Sequence, residues 1–225
     1  MKKLNVIIKA SSVYLLAFSF SSFAQVFTPI NNVNSPFDEQ NPYVSPQGEL
    51  FFSRGFHPSN KGGEKDYGDI WISTIDTNNQ YTKPQQVNSL STSANDVVIG
   101  FADHITLLVY HGGDSEKPQG IHQYRRFGSS WSYLRPLEIE SFLNTSPLFS
   151  GKINSSGDLM LLSFQGNPTY GNEDIYILKK ISEEKWSSPK NLGPIINTNS
   201  QELYPIFSHN GEGIFFSTNA FKKNQ

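Results

Sequence analysis

The chain repeats itself, and that repetition limits what it can fold into more than any other feature. "NPYVSPQGELFFS" at Asn41–Ser53 returns as "YPIFSHNGEGIFFS" at Tyr204–Ser217. Gly157 and Gly211 end equivalent short turns 54 residues apart, and Gly48 stands 109 residues before Gly157, about two periods. "DIWIS" at Asp69–Ser73 recurs 105 residues later as "DIYIL" at Asp174–Leu178, with a degraded copy, "GIHQY" at Gly120–Tyr124, midway. Each is followed by an aromatic-to-proline segment: "YTKP" (Tyr81–Pro84), "WSYLRP" (Trp131–Pro136) and "WSSP" (Trp186–Pro189), whose prolines lie 52 and 53 residues apart. Three independent markers share one period near 53. A unit that short cannot bury its apolar face alone, so similar units must stack on one another.

Each period reads as four strands. "NPYVS" runs into a tight turn at "SPQG", where Pro46 and Gly48 suit the backbone angles. "ELFFS" is nearly all apolar, as a strand buried on both faces should be. A polar, Gly-rich loop, Arg54–Gly68, leads into "DIWISTID", and "TNNQ" turns the chain into "YTKPQQV". Pro84 lacks an N–H and restricts that last strand to an edge. Four strands in a unit of this size is the signature of a β-propeller. The expected fold is all-β, an incomplete propeller of three blades (about 35–87, 88–138 and 139–193) plus a partial fourth over 194–225. The chain stops before a further "DIY" strand, due near position 228 from the period. Gln25–Ser35 is expected to supply the last strand of a blade. Aromatic content of 13%, with 17 Phe and 10 Tyr, is enough for such a core, since burying one Phe stabilises by roughly 1.5–3 kcal/mol.

The first 24 residues are read as a cleaved export signal. Lys2 and Lys3 precede the apolar run Val13–Phe20, and Ser22 and Ala24 are the small residues before a cut. The domain then occupies 25–225. With no cysteine anywhere, neither disulfides nor a lipid-modified cysteine can contribute.

The pattern "P-x-x-S-P-x-G-x-L-F-F-S … G-D-I-W-I-S … W-x-x-P-x-x-L-G-x-x-I-N-T" resembles the WD40-like propeller repeat of the TolB type. Pro42, Ser45, Pro46, Gly48, Phe52, Ser53, Gly68, Asp69, Ile70 and Trp71 carry it. So do Pro205, Ser208, Gly211, Phe216 and Ser217, with Asp174, Ile175, Tyr176, Trp186, Pro189, Leu192, Gly193, Ile196 and Asn197. The spacer resembles that of exported envelope propellers of the OmpA family. The family's turn Asp is Gln47, Ser156 or Asn210 here, and the second copy, Gly100–Gly112, lacks both turn Pro and turn Gly. The resemblance implies a periplasmic or outer-membrane-associated location. It also implies envelope-protein partners, of the secretion-system or peptidoglycan-associated kind, and membrane contact through those partners alone.

Searching for chemistry narrows the function. Net charge is −2, and no Lys/Arg run exceeds two, so a nucleic-acid footprint is absent. No G-x-S-x-G elbow, phosphate loop, H-E-x-x-H or Cys/His cluster occurs. The expectation is therefore no catalytic residue, no metal and no cofactor, in a non-catalytic protein-binding module. A sialidase-like glycosidase is the alternative, though its Ser-x-Asp-x-Gly-x-x-Trp turns are missing. Asp69 and Asp174 stand where loops enter strands and are read as acceptors of backbone N–H. Trp71, Trp131, Tyr176 and Trp186 are read as packing between blades. Histidines are read as surface or turn residues. Strand alternation puts Arg54–Gly68, His111–Gln119 and Phe164–Glu173 on one face with the connectors between blades, and loops on rigid scaffolds are where binding usually resides. The candidate binding residues are Arg54, His57, Lys61, Asp66, Tyr67, His111, Asp114 and Tyr170.

Overall fold

The computed structural model describes residues 29–220. The export signal expected over Met1–Ala24 lies outside the described residues. Within them the protein is all-β, built from small antiparallel sheets. The first sheet is a meander of β1 (Asp38–Val44), β2 (Leu50–Gly55), β3 (Asp69–Ser73) and β4 (Gln85–Gln86). The second has β5 (Asp96–Phe101), β6 (Thr106–His111), β7 (Gly120–Phe127) and β8 (Ser130–Pro136). After β9 (Glu138–Ile139), the third contains β10 (Ser150–Ile153), β11 (Leu159–Phe164), β12 (Asp174–Lys179) and β14 (Lys190–Asn191). Between those last two, β13 (Lys185–Trp186) runs parallel to β9 and ties the outer parts of the second and third sheets together. A two-stranded sheet, β15 (Glu202–Phe207) with β16 (Ile214–Thr218), follows.

Turn chemistry explains why equivalent strands form. Gly48, Gly157 and Gly211 take φ values of +82°, +73° and +73°, a region that L side chains resist. The second sheet turns without such a glycine because the Asp103 carboxylate accepts the N–H groups of Ile105 and Thr106, both at 2.8 Å. A short acidic side chain thus does what backbone freedom does in the other copies.

The second strands of the first three sheets are buried on both faces, and alternation divides their side chains between two cores. Leu107 and Val109 of β6 join Phe51, Ile70, Leu90, Val98, Phe101, Tyr124 and Trp131 between the first and second sheets. Leu108 and Tyr110 point the other way, into a cluster with Val97, Ile121, Met160, Leu162, Tyr176 and Trp186 between the second and third. Leu50, Phe52 and Trp71, on the remaining face of the first sheet, bury Val33. Trp131, Tyr176 and Trp186 therefore pack between sheets, whereas Trp71 packs on the segment before β1. First strands neighbour one another in chain order, β1 to β5, β5 to β10 and β10 to β15. The Tyr204 hydroxyl also donates to the Gln40 amide oxygen at 3.3 Å, linking β15 back to β1.

The described part of one expected strand, Gln25–Ser35, is not a strand. Residues 29–35 of the segment read as a closing strand form a turn, with Val33 and Asn34 N–H bonding the Ile30 carbonyl. The segment is held instead by Arg54, whose guanidinium donates to the Val33 carbonyl at 2.9 Å. Pro84 does lead into an edge strand, β4, as its missing N–H requires.

Burial of the repeat-equivalent phenylalanines differs. Phe52 is 2% exposed, while Phe216 is half-buried in the two-stranded sheet. Phe52→Ala is expected to cost about 3–5 kcal/mol, and Phe216→Ala clearly less. Urea denaturation of both variants checks this, and an equal or larger loss at Phe216 would contradict it.

Candidate functional site

The three long loops are held by carboxylates that accept backbone N–H groups. Asp66 takes those of Gly62 and Gly68, both at 3.0 Å. Asp69 takes that of Lys61 at 2.9 Å and the side-chain amide of Gln86. Asp174 repeats the arrangement with Tyr170 N–H at 2.7 Å and Asn191 at 2.8 Å. Asp114 accepts from Ser93, Glu116 and Lys117 at 2.8–2.9 Å. Slight burial works against its ionised form, but these donors outweigh it and hold the carboxyl well below its usual range. Burial lifts Asp69 to about 7, helped by the nearby charges of Asp66 and Asp96 and opposed by the Lys61 N–H. Asp69 and Asp174 thus build loops, which is the role their position suggests.

Three residues expected on the binding face are not available there. Arg54 is 6% exposed, Asp66 2% and His111 0%. Arg54, one residue before the end of β2, holds its guanidinium over the Trp71 ring, 4.4 Å from the centroid, and its Nε on Glu39 at 2.9 Å. Asp66 is consumed by its own loop. His111 is the last residue of β6 rather than a loop residue, and lies directly opposite Asp96. His57 tucks its ring against Phe37 and Trp71, and Lys61 Nζ donates to the Ser91 carbonyl at 2.7 Å. Tyr67 and Tyr170, 37% and 52% exposed, do reach solvent.

The loops of different sheets meet at a cleft of about 300 Å³. Lys65 and Tyr67 come from the first sheet's loop, Ser93 and Asn95 from the connector into the second, and Ser146 from the connector into the third. Phe56 packs its ring 5.3 Å from that of Tyr67 and is itself 37% exposed. Of the residues singled out in the sequence, Tyr67 and Asp66 line this cleft. Lys65, Ser93, Asn95 and Ser146 of the lining, and Phe56 beside Tyr67, were missed. Phe56 alone left a signal, as an apolar residue in an otherwise polar loop. The cleft offers an ammonium, hydroxyls, an amide and an aromatic rim, a set suited to hydrogen bonding and contact. Among the described residues, no group of three or more His, Asp or Glu is placed to hold a metal ion.

Beneath the cleft lies a buried polar chain. Asp96 accepts from Thr92 N–H at 2.6 Å and meets His111 Nδ1 at 2.5 Å, while His111 Nε2 meets the Tyr124 hydroxyl at 2.7 Å. Two proton arrangements satisfy both contacts: with Asp96 ionised, neutral His111 donates from Nδ1 to Asp96 and accepts from Tyr124; with Asp96 protonated, the direction in which its burial pushes it, the carboxyl donates to Nδ1 and Nε2–H donates to the Tyr124 oxygen. Burial drives His111 down to about 3, reinforced by the charge of Lys117. Asp, His and a hydroxyl in this order resemble a nucleophile relay, but Asp96 and His111 are 0% exposed and Tyr124 is 1%. A substrate cannot reach them, so the chain is structural. His122 meets His111 edge to face, ring centroids 4.8 Å apart, and is likewise buried. Both histidines correct the surface reading.

No protein-family model and no curated protein matches the chain. Among solved structures, a chain from a study of two prolyl endopeptidases matches at a TM-score of 0.36 and 10% identity, over 88% of this chain and 29% of that one. This chain spans under a third of that protein's length. A likeness at that score decides neither fold nor chemistry.

Burial lowers His122 from 6.5 to about 4, and the adjacent His111 adds to the shift. The unfolded chain therefore binds a proton between those values that the folded chain refuses, and the stability that His122 contributes is lost as pH falls from 6.5 towards 4. His122→Gln is expected to flatten the stability profile across that window relative to wild type. Parallel profiles from denaturant titrations would contradict this.

Proposed function

We propose that the sheets are blades of an exported TolB-type β-propeller, and that the chain is a non-catalytic binding module of the cell envelope. The observation that carries the propeller reading is the neighbouring of first strands in chain order, with the Tyr204–Gln40 hydrogen bond leading from the last back to the first. Consecutive meanders with apolar clusters between their faces also support it. The family resemblance supports a periplasmic or outer-membrane-associated setting and protein partners.

The binding surface in this reading is the cleft where the loops converge. Residues at repeat-equivalent positions hold the scaffold, so recognition falls to those that differ between sheets. Tyr67 with Phe56, and Tyr170 on the third sheet's loop, provide exposed aromatic area, and Lys65 provides charge. Aromatic side chains are among those most often energetic at interfaces. The most reactive-looking constellation, Asp96–His111–Tyr124, is sealed from solvent, which supports the absence of hydrolysis.

A double variant, Tyr67→Ala with Lys65→Ala, changes the cleft without touching the hydrogen bonds that hold the loop. In affinity capture from envelope extract, partners retained by wild type are expected to be recovered several-fold less by this variant. Equal recovery would reject the cleft. Turnover of a glycoside or peptide substrate by purified protein would reject the non-catalytic reading.

A further inference from the structure

The turn end of the molecule, opposite the long loops, carries a second feature. A cleft of about 630 Å³ opens between β1, β10 and β15. Its walls include Tyr43 and Val44 from β1, Lys152 and Ile153 from β10, and Ile206 from β15. Val44 and Ile206 are 56% and 44% exposed, so apolar side chains face the opening.

Lys152 is the charged group in this wall. Its ammonium donates to the Pro42 carbonyl at 2.8 Å and lies 4.6 Å from the centroid of the Tyr43 ring. Both contacts stabilise a cation, yet neither supplies a negative charge. No Asp or Glu lines the cleft, and among the described residues Lys152 makes no ion pair. The other titratable groups lining it are Tyr43, from β1, and His209, from the β15–β16 turn. Asp103, in the adjoining cleft, has its carboxylate engaged by the Ile105 and Thr106 N–H groups. Desolvation lowers Lys152 to about 8, as expected of a half-buried ammonium with no negative charge beside it. A ligand carboxylate beside it would restore the missing charge, and a charge-assisted hydrogen bond in a partly dry site is stronger than one in water.

We propose that this cleft binds a carboxylate carried on an apolar body, with Lys152 taking the carboxylate and Val44, Ile153 and Ile206 the apolar part. The chemistry is met by a free monocarboxylic acid or by the C-terminal carboxylate of a peptide ending in an apolar residue. The site is separate from the long-loop cleft and does not depend on it.

The test uses the whole chain and amide NMR spectra. Benzoate, its neutral counterpart benzamide, and a tripeptide ending in leucine with a free carboxylate are titrated separately. Saturable shifts of the Ile153, Asn154 and Ile206 amides are expected with benzoate or the tripeptide, and none with benzamide. Whichever carboxylate binds more tightly identifies the source. Lys152→Met keeps the side-chain stem and is expected to weaken binding about tenfold or more, with the wild-type spectrum elsewhere retained. Should Lys152→Met fail to fold, raising the pH through 8 on wild type removes the ammonium and is expected to weaken binding in the same way. No saturable shift with either carboxylate, equal binding of benzamide, or binding unchanged both by the variant and by the pH rise would overturn the proposal.

Discussion

The first, second and fourth sheets hang on a clasp at the start of the first strand. A carboxylate there accepts both the N–H and the hydroxyl of a Ser or Thr four residues earlier. Glu39 does this with Ser35, Asp96 with Thr92 and Glu202 with Thr198. The same carboxylate reaches the end of the second strand: Arg54 for Glu39, His111 for Asp96, and Thr218 for Glu202. One side chain thereby fixes connector, first strand and second strand together. Burying a carboxylate is costly without partners, so Asp96 and Glu202, both 0% exposed, depend on these donors. In the third sheet the equivalents are apolar. Phe149 stacks on Tyr110, with ring centroids 3.6 Å apart and planes at 9°, and Phe164 stacks on Tyr176 at 4.2 Å. Packing there takes over a task that hydrogen bonds perform elsewhere.

The clasp also decides which residues are left for recognition. It consumes Arg54 and His111, side chains that would otherwise look suited to a partner. Asp66, Asp69, Asp114 and Asp174 are consumed in the loops by backbone N–H groups. What remains accessible is aromatic and small polar: Phe56, Tyr67, Tyr170, Ser93 and the flexible Lys65. These varied contact residues, carried on a hydrogen-bonded frame, are the ones the proposed binding role uses.

Much of the fold was legible because local signals repeat. Turn glycines mark the first, third and fourth units, and "DIWIS"-like strands and aromatic-to-proline spacers mark the same places in the first three. The loop-building roles of Asp69 and Asp174 followed from position alone. The clasp was less visible because its third member is distant: Glu39 and Arg54 are 15 residues apart, as are Asp96 and His111. Its partner type also changes from Arg to His to Thr, which hides the equivalence. The nearer half, a Ser or Thr four residues before an acid, stands in the sequence at Ser35, Thr92 and Thr198 and could have been read. Glycine-less turning at Asp103 escaped for a related reason, since a carboxylate substitutes for a backbone conformation. The cleft residues belong to three connectors, and no spacing within one of them shows that they converge.

Amide hydrogen exchange tests the clasp directly. Thr92 N–H is bonded to Asp96 at 2.6 Å and Thr198 N–H to Glu202 at 2.9 Å, although both residues lie in connectors outside the strands. If the carboxylates clasp as described, these two amides exchange as slowly as those of β5 and β15, opening only when the sheets do. Exchange as fast as that of the neighbouring connector residue Asn199 would contradict the account.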